Sequence, residues 1–226
     1  MHVELLYHTP DPERAIATAA RLCYAPVGAA ELMETMPEDR VRSVLSTVIK
    51  SGHLSTLEHA SFTFAVDGVS RALTHQLVRH RIASFNQQSQ RYVKFTDGVP
   101  VVKPGTVAAN EEAGRIFDET VDAIEAAYAR LLELGIPAED ARYLLPNAAE
   151  SKIVITMNVR ELLHFFSLRC CNRAQWEIRE MAHRMLELAR PTAPYIFMDA
   201  GAGCVRGACP EGKMTCGNPY PKVVRD

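Results

Sequence analysis

One polar segment constrains this chain more than any other. Residues 79–91, Arg-His-Arg-Ile-Ala-Ser-Phe-Asn-Gln-Gln-Ser-Gln-Arg, hold three arginines, one histidine, two serines, one asparagine and three glutamines, with only three apolar side chains. Ahead of it Val69, Leu73 and Leu77, with Ala72 and Val78, recur at helical spacing; behind it Tyr92, Val93 and Phe95 have strand character. A polar run between two elements that enter a core lines a cleft more readily than it waves in solvent. Arginine offers a planar fork of donors that matches phosphate oxygens two at a time, and Ser, Asn and Gln add neutral donors and acceptors. Two uses fit: a solvated basic face that meets nucleic acid, and a small-molecule anion site with a nucleotide as its leading ligand.

Composition bears on that choice. The chain has 226 residues, is 47% hydrophobic and 23% charged, and carries a formal charge of −2. A single core is within reach at this size. A dedicated nucleic-acid binder usually has a strong positive excess, so the basic run is a local concentration in a near-neutral protein. No stretch approaches the roughly 20 apolar residues of a membrane span. The N-terminus, Met1 to Tyr7, has no basic region followed by a long apolar one, and a cytoplasmic location with no membrane contact is expected. The six cysteines are then expected to be reduced.

The rest of the chain reads as mixed α and β. Residues 2–8 fit a strand. Asp11-Pro12 opens a helix with buried Ile16, Ala19, Ala20 and Cys23, and Pro37-Glu38-Asp39 opens another, with Val41, Val44, Leu45, Val48 and Ile49 in its stripe and Gly52 as its stop. Ser55-Thr56-Leu57-Glu58 has capping-box spacing. Phe62, Phe64 and Val66 alternate as in a strand, Asp67-Gly68 turns, and Ser70 starts the helix that delivers the polar segment. A long helix is expected over 108–134 and a short one over 138–144. Ile153 to Met157 form an apolar strand, Asn158 caps the next helix with Glu161 three residues on, and residues 174–190 form a last helix. The fold class is α+β, a central β-sheet with several long helices. Residues 1–200 are expected to form a single catalytic domain, and 201–226 a tail containing Gly, Pro and Cys.

The pattern Arg-His-Arg-x-x-Ser-x-Asn-x-x-Ser-x-Arg at 79–91 resembles the signature of flavin-dependent thymidylate synthases, the ThyX family. Upstream lies His53-x-Ser55-x-x-Glu58-His59. Downstream lie Asn158-x-Arg160-x-x-x-His164-x-x-x-x-Arg169 and Ala174-Gln175-Trp176-Glu177-Ile178-Arg179. These blocks follow the family's order and similar separations over about residues 50–180.

The resemblance implies a ThyX-like fold and a homotetramer with shared active sites, acting on dUMP with FAD as cofactor and NADPH and 5,10-methylenetetrahydrofolate as co-substrates. It implies that Gln76, Leu77, Val78, Arg79, Gln87, Gln88, Ser89, Gln90, Arg91, Arg142 and Arg169 bind the nucleotide. Ser55, Arg79, His80, Arg81, Gln87, Asn158, Val159, Arg160 and His164 would hold the flavin, with His53 nearby, and Arg169 would be the catalytic arginine that favours the deprotonated pyrimidine. Many relatives carry Glu where Gln87 stands.

Elementary geometry runs alongside. Gln76, Arg79 and His80 are three and four apart and share a helix face, as do Arg160 and His164. Arg169 is nine residues beyond Arg160 and, at about 100° per residue, points to the opposite side, toward a different ligand. Ser84 and Asn86 are expected to set loop geometry. Ser89 lacks a nucleophile elbow and reads as a phosphate donor. His53, Glu58 and His59 lack metal-site spacing, and no metal ligand is assigned. Cys204, Cys209 and Cys216, with Cys170 or Cys171, have the ligand count of a structural zinc site, but irregular spacing favours plain reduced thiols. A nucleic-acid module, and a flavin or folate enzyme acting on another pyrimidine, remain as alternatives.

Overall fold

A computed structural model describes residues 1–223. Its strands are β1 (His2–His8), β2 (Ser61–Ser70), β3 (Ala83–Gln87) and β4 (Glu150–Asn158). Its helices are α1 (Pro12–Leu22), α2 (Ala29–Thr35), α3 (Glu38–Ser51), α4 (Arg71–Leu77), α5 (Gly105–Ala108), α6 (Glu111–Glu133), α7 (Ala138–Ala141), α8 (Val159–Arg169) and α9 (Trp176–Ala189). The strands form one antiparallel sheet in the order β1-β2-β4-β3. The expected α+β class holds.

Local chemistry explains most boundaries. Asp11 caps α1 from a left-handed conformation (φ 42°), its carboxylate accepting from the Arg14 amide. Gly52 ends α3 at φ 74°, a conformation that penalises a side chain. Ser70 accepts from the Leu73 amide, and Asn158 from the Glu161 amide, so α4 and α8 begin at satisfied caps. Asn110 does the same for α6.

Three expectations are corrected. The polar segment is not a loop: Ala83 to Gln87 form β3, at the sheet edge, with Ser84 and Asn86 exposed and Ala83, Phe85 and Gln87 half-buried. Residues 92–95 form no strand: the chain turns through Arg91 and Tyr92, where the Ser89 carbonyl accepts from both the Tyr92 and Val93 amides. Leu54 to His59 form a 3₁₀ turn with no side-chain cap at its start, and β2 runs on through Asp67-Gly68.

The chain clusters into two units. The first comprises Met1–His2, Val66–Arg79 and Asn86–Val154; the second comprises Val3–Ala65, His80–Phe85 and the chain from Ile155 onward. In the first, Val69, Leu73, Leu77, Val99, Tyr128 and Ala141 are buried. In the second, Phe62 meets Phe197 edge-on at 5.5 Å, and Phe166 meets the same ring at 6.0 Å. Glu13 of α1 accepts from the amides of Tyr195 and Ile196 at 2.7 and 3.0 Å, which ties the segment after α9 back to the first helix. Phe197, fully buried, joins β2 and α8 through these rings. Phe197→Ala is expected to lower stability by about 3–5 kcal/mol, read as a lower urea midpoint with the fold retained at low denaturant.

Candidate functional site

Within the second unit, α8 organises two cavities. One, of about 650 Å³, has apolar walls from Ile49, Leu54, Leu57, Ile82 and Leu163, and polar walls from Glu58, Asn158, Arg160, Glu161, His164, Asp199 and Arg206. Arg160 donates to Glu58 at 2.6 Å. Both side chains are about half exposed, so this pair contributes about 1 kcal/mol or less and gives way easily to a ligand anion. The other cavity, of about 530 Å³, is lined by Arg169, Cys171, Asn172, Arg173 and the tail residues around Cys204, Cys209, Cys216 and Tyr220. The helical phase therefore separates Arg160 and His164 from Arg169, as their spacing requires.

Between these groups lies a buried hydrogen-bond chain. His80 Nδ1 meets Glu161 Oε1 at 2.8 Å, with the two side chains 4% and 7% exposed. Arg169 Nε donates to His80 Nε2 at 3.0 Å. The His80 ring also meets Phe165 at 5.0 Å and His164 at 5.8 Å between centroids. Burial holds the His80 pKa below the ordinary histidine value, and Arg169 and His164 push the same way against the bond from Glu161. His80, Glu161 and His164 are also, among the described residues, the one gathering of metal-capable side chains. An arginine donating to Nε2 leaves that lone pair engaged, so Glu161, His80 and Arg169 read as a hydrogen-bond chain with His164 in ring contact beside it.

The first unit holds the other expected residues. Gln76 and the fully buried Leu77 lie at the end of α4, with Val78 and Arg79 just beyond it; a contact from Leu77 to any ligand is through its backbone. Gln87 Nε2 donates to Ser151 Oγ at 2.8 Å and to Thr74 Oγ1 at 3.2 Å. The Gln88 amide donates to the Lys152 carbonyl. Ser89 Oγ accepts from the Arg91 amide, and Arg91 pairs with Glu139 through Nε at 2.8 Å and a terminal nitrogen at 2.7 Å. Gln90 Nε2 is sealed from solvent with no protein acceptor. Arg142 donates to the Glu139 carbonyl. Arg71, at the start of α4, has its pKa lowered by burial and then by the charge of Arg142; two neighbouring guanidiniums favour an anion beside them.

In the second unit Arg81 is exposed, and Val159, fully buried, offers a ligand only its backbone. Ser55 and His53 line a third cavity, of about 500 Å³, with residues of α1 and α3, apart from Asn158, Arg160 and His164.

Sequence reasoning missed Arg71, Glu161 and Arg206. Glu161 was legible only as a cap partner; its carboxylate turns to a histidine 81 positions away. Arg206 stands isolated among Gly and Cys and lines both large cavities.

A model of the family described as thymidylate synthase complementing protein matches residues 4–195. The chain belongs to that family. A flavin-dependent thymidylate synthase of Geobacter sulfurreducens is 59% identical over 218 residues, covering 96% of this chain and 94% of that one. One from Clostridium tetani is 46% identical over 231 residues, with 95% and 92% covered. Among solved structures, a UMP/dUMP methylase, PolB, of Streptomyces cacaoi bound with 5-Br dUMP aligns with a TM-score of 0.75 at 28% identity, covering 87% of this chain and 93% of that one.

In this family member the tail beyond residue 195 carries three of the six cysteines. All six are free thiols. Burial, with Cys171 nearby, pushes the Cys170 thiol up to about 12 against the opposing charge of Arg190. Cys170 and Cys204 are buried, whereas Cys23 and Cys216 are exposed. Iodoacetamide on the native protein is expected to label Cys23 and Cys216 within minutes and to spare Cys170, mapped by peptide mass spectrometry.

A pH dependence also follows. His80 and His183 both have pKa values below the ordinary 6.5, each chiefly through burial. Below that value the unfolded chain binds protons that the native chain refuses, so stability falls as pH drops from about 6.5 toward the lowered native values. Thermal midpoints measured from pH 7.5 to 5.5 are expected to decline, and less steeply in His183→Gln.

Proposed function

We propose that this chain is a flavin-dependent thymidylate synthase, a methyltransferase that converts dUMP to dTMP. The observation that carries the reading is the division of α8: Asn158, Arg160 and His164 face one cavity and Arg169 another, as a reaction that joins a cofactor and a separate nucleotide requires. Identity of 59% along nearly the whole Geobacter relative supports it.

The larger cavity fits FAD. Its apolar walls suit a ring system, while Arg160, Arg206, His164 and the capped N-terminus of α8 suit the pyrophosphate. When bound, FAD reduced by NADPH supplies the hydride, and 5,10-methylenetetrahydrofolate supplies the carbon and leaves as tetrahydrofolate. The chain's own residues bind and polarise. Arg169 stays cationic at any working pH and stabilises negative charge on the pyrimidine. Gln90 Nε2, a sealed donor without a partner, meets an acceptor on the nucleotide. Arg91 exchanges Glu139 for the phosphate, and Arg71 joins Arg142 in drawing it in. Ser89 donates a hydrogen bond; among the described residues no imidazole or carboxylate bonds its oxygen, so it lacks the base a nucleophile needs.

The working form is a homotetramer that shares active sites. Tyr7, Tyr24, Tyr92 and Tyr143 are exposed aromatic surface that subunit contacts would cover. Among the described residues no helix is long and apolar enough to cross a membrane.

The purified protein is expected to be yellow, with flavin bands that shift on adding dUMP and respond far less to UMP or CMP. Arg160→Ala is expected to weaken flavin binding by roughly tenfold to a hundredfold, the range for one hydrogen bond to a charged group. A colourless protein that takes up no added FAD overturns the reading.

A further inference from the structure

We infer that Glu161 is a positioning residue for Arg169, acting through the ring of His80 as a fixed, neutral bridge. The inference rests on the reading that Arg169 holds the pyrimidine.

The geometry leaves one arrangement of protons. An arginine Nε carries a hydrogen and can only donate. Since Arg169 Nε lies 3.0 Å from His80 Nε2, that ring nitrogen must be the acceptor. The ring's hydrogen is then on Nδ1, where the Glu161 carboxylate accepts it at 2.8 Å. A doubly protonated ring would set two donors, Nε2–H and Arg169 Nε–H, against each other, with a second cation beside the guanidinium. The groups facing the ring are Glu161, His164 and Arg169 of α8, with Phe165 as its apolar wall; only Glu161 is anionic.

Helical geometry shows what the bridge joins. Glu161 sits in the first turn of α8 and Arg169 in the last, a rise of about 12 Å. Across that rise both side chains bond to the same ring. The imidazole spans the gap from a separate stretch of chain, and fixes a flexible arginine relative to the start of its own helix. The bond to His80 engages Nε. Each partner also sits at the helix end its charge favours, the carboxylate near the N-terminus and the guanidinium near the C-terminus.

The test uses the flavin-loaded enzyme and dUMP affinity. Arg169→Lys, which has no Nε donor, is expected to weaken dUMP tenfold or more. In protein saturated with flavin, Glu161→Met leaves His80 Nδ1–H without an acceptor and is expected to weaken dUMP about tenfold. Glu161→Gln keeps an acceptor oxygen and is expected to stay within about threefold. In the Arg169→Lys background Glu161→Met adds little. In unaltered protein labelled with ¹⁵N-histidine, His80 is expected to show Nδ1 protonated and Nε2 bare from pH 6 to 8. Unchanged dUMP affinity in Glu161→Met, alongside a weakened Arg169→Lys, overturns the positioning role. Protonated Nε2 overturns it without any variant. Unchanged affinity in Arg169→Lys refutes instead the reading that Arg169 holds the pyrimidine.

Discussion

No residue separates β4 from α8. The strand ends at Asn158 and the helix begins at Val159, so the register of the strand sets the phase of the helix. The Val159 amide is also fixed to the Ala60 carbonyl at 2.9 Å, and Phe165 and Phe166 are fully buried on the inner face. With the phase fixed at both ends, Arg160 and His164 fall about 40° apart while Arg169 falls about 180° from Arg160. The two cavities follow from that phase. A one-residue slip at the junction would rotate every one of these side chains by about 100°.

The same helix makes its buried polar content affordable. A carboxylate sealed from water costs several kcal/mol unless its lone pairs are engaged. Glu161 has the His80 ring as donor and lies in the first turn, where the helix dipole favours an anion. The ring is sealed as well, and a neutral imidazole is far cheaper to bury than a charged one. Burial, hydrogen bonding and helix polarity thus converge on one protonation state without any need for a metal ion at His80, Glu161 and His164.

Much of this was legible in sequence wherever structure is local. The caps at Asp11, Ser70 and Asn158, the stop at Gly52, and the apolar stripe of α3 are read from neighbours within one or two turns; the stripe expected of α1 is not, because Cys23 is exposed and Ala17 and Thr18 are buried instead. What escaped depends on distant partners. The strand β3 carries a polar alternation, and an edge strand needs little apolar content, so hydrophobic periodicity could not announce it. The 3₁₀ turn at 54–59 has capping-box spacing, but Glu58 is drawn to Arg160, 102 positions away. Glu161 and His80 meet across 81 positions, and no spacing rule reaches that far. Motif resemblance supplied candidate site residues, but not Glu161, whose role depends on what the histidine of the signature touches on its other side.

The tail shows how a segment outside the family match bears on the site within it. Tyr220 donates its hydroxyl to Asn172 Oδ1 at 2.8 Å, Asn172 Nδ2 donates to the Asn218 carbonyl at 2.9 Å, and Arg173 donates to the Met214 carbonyl. From the other side Arg179 of α9 donates to the Asn172 carbonyl at 2.9 Å. The turn that follows Arg169 is therefore held from both the tail and α9, only three residues from the guanidinium. Arg169 is restrained at its side chain by His80 and at its backbone by this turn. A long, rotamer-rich arginine loses much freedom when it binds. In the ligand-holding role proposed for Arg169, that cost is met largely by folding, before any ligand arrives, which is the advantage of a helix end tied on both sides over a bare loop.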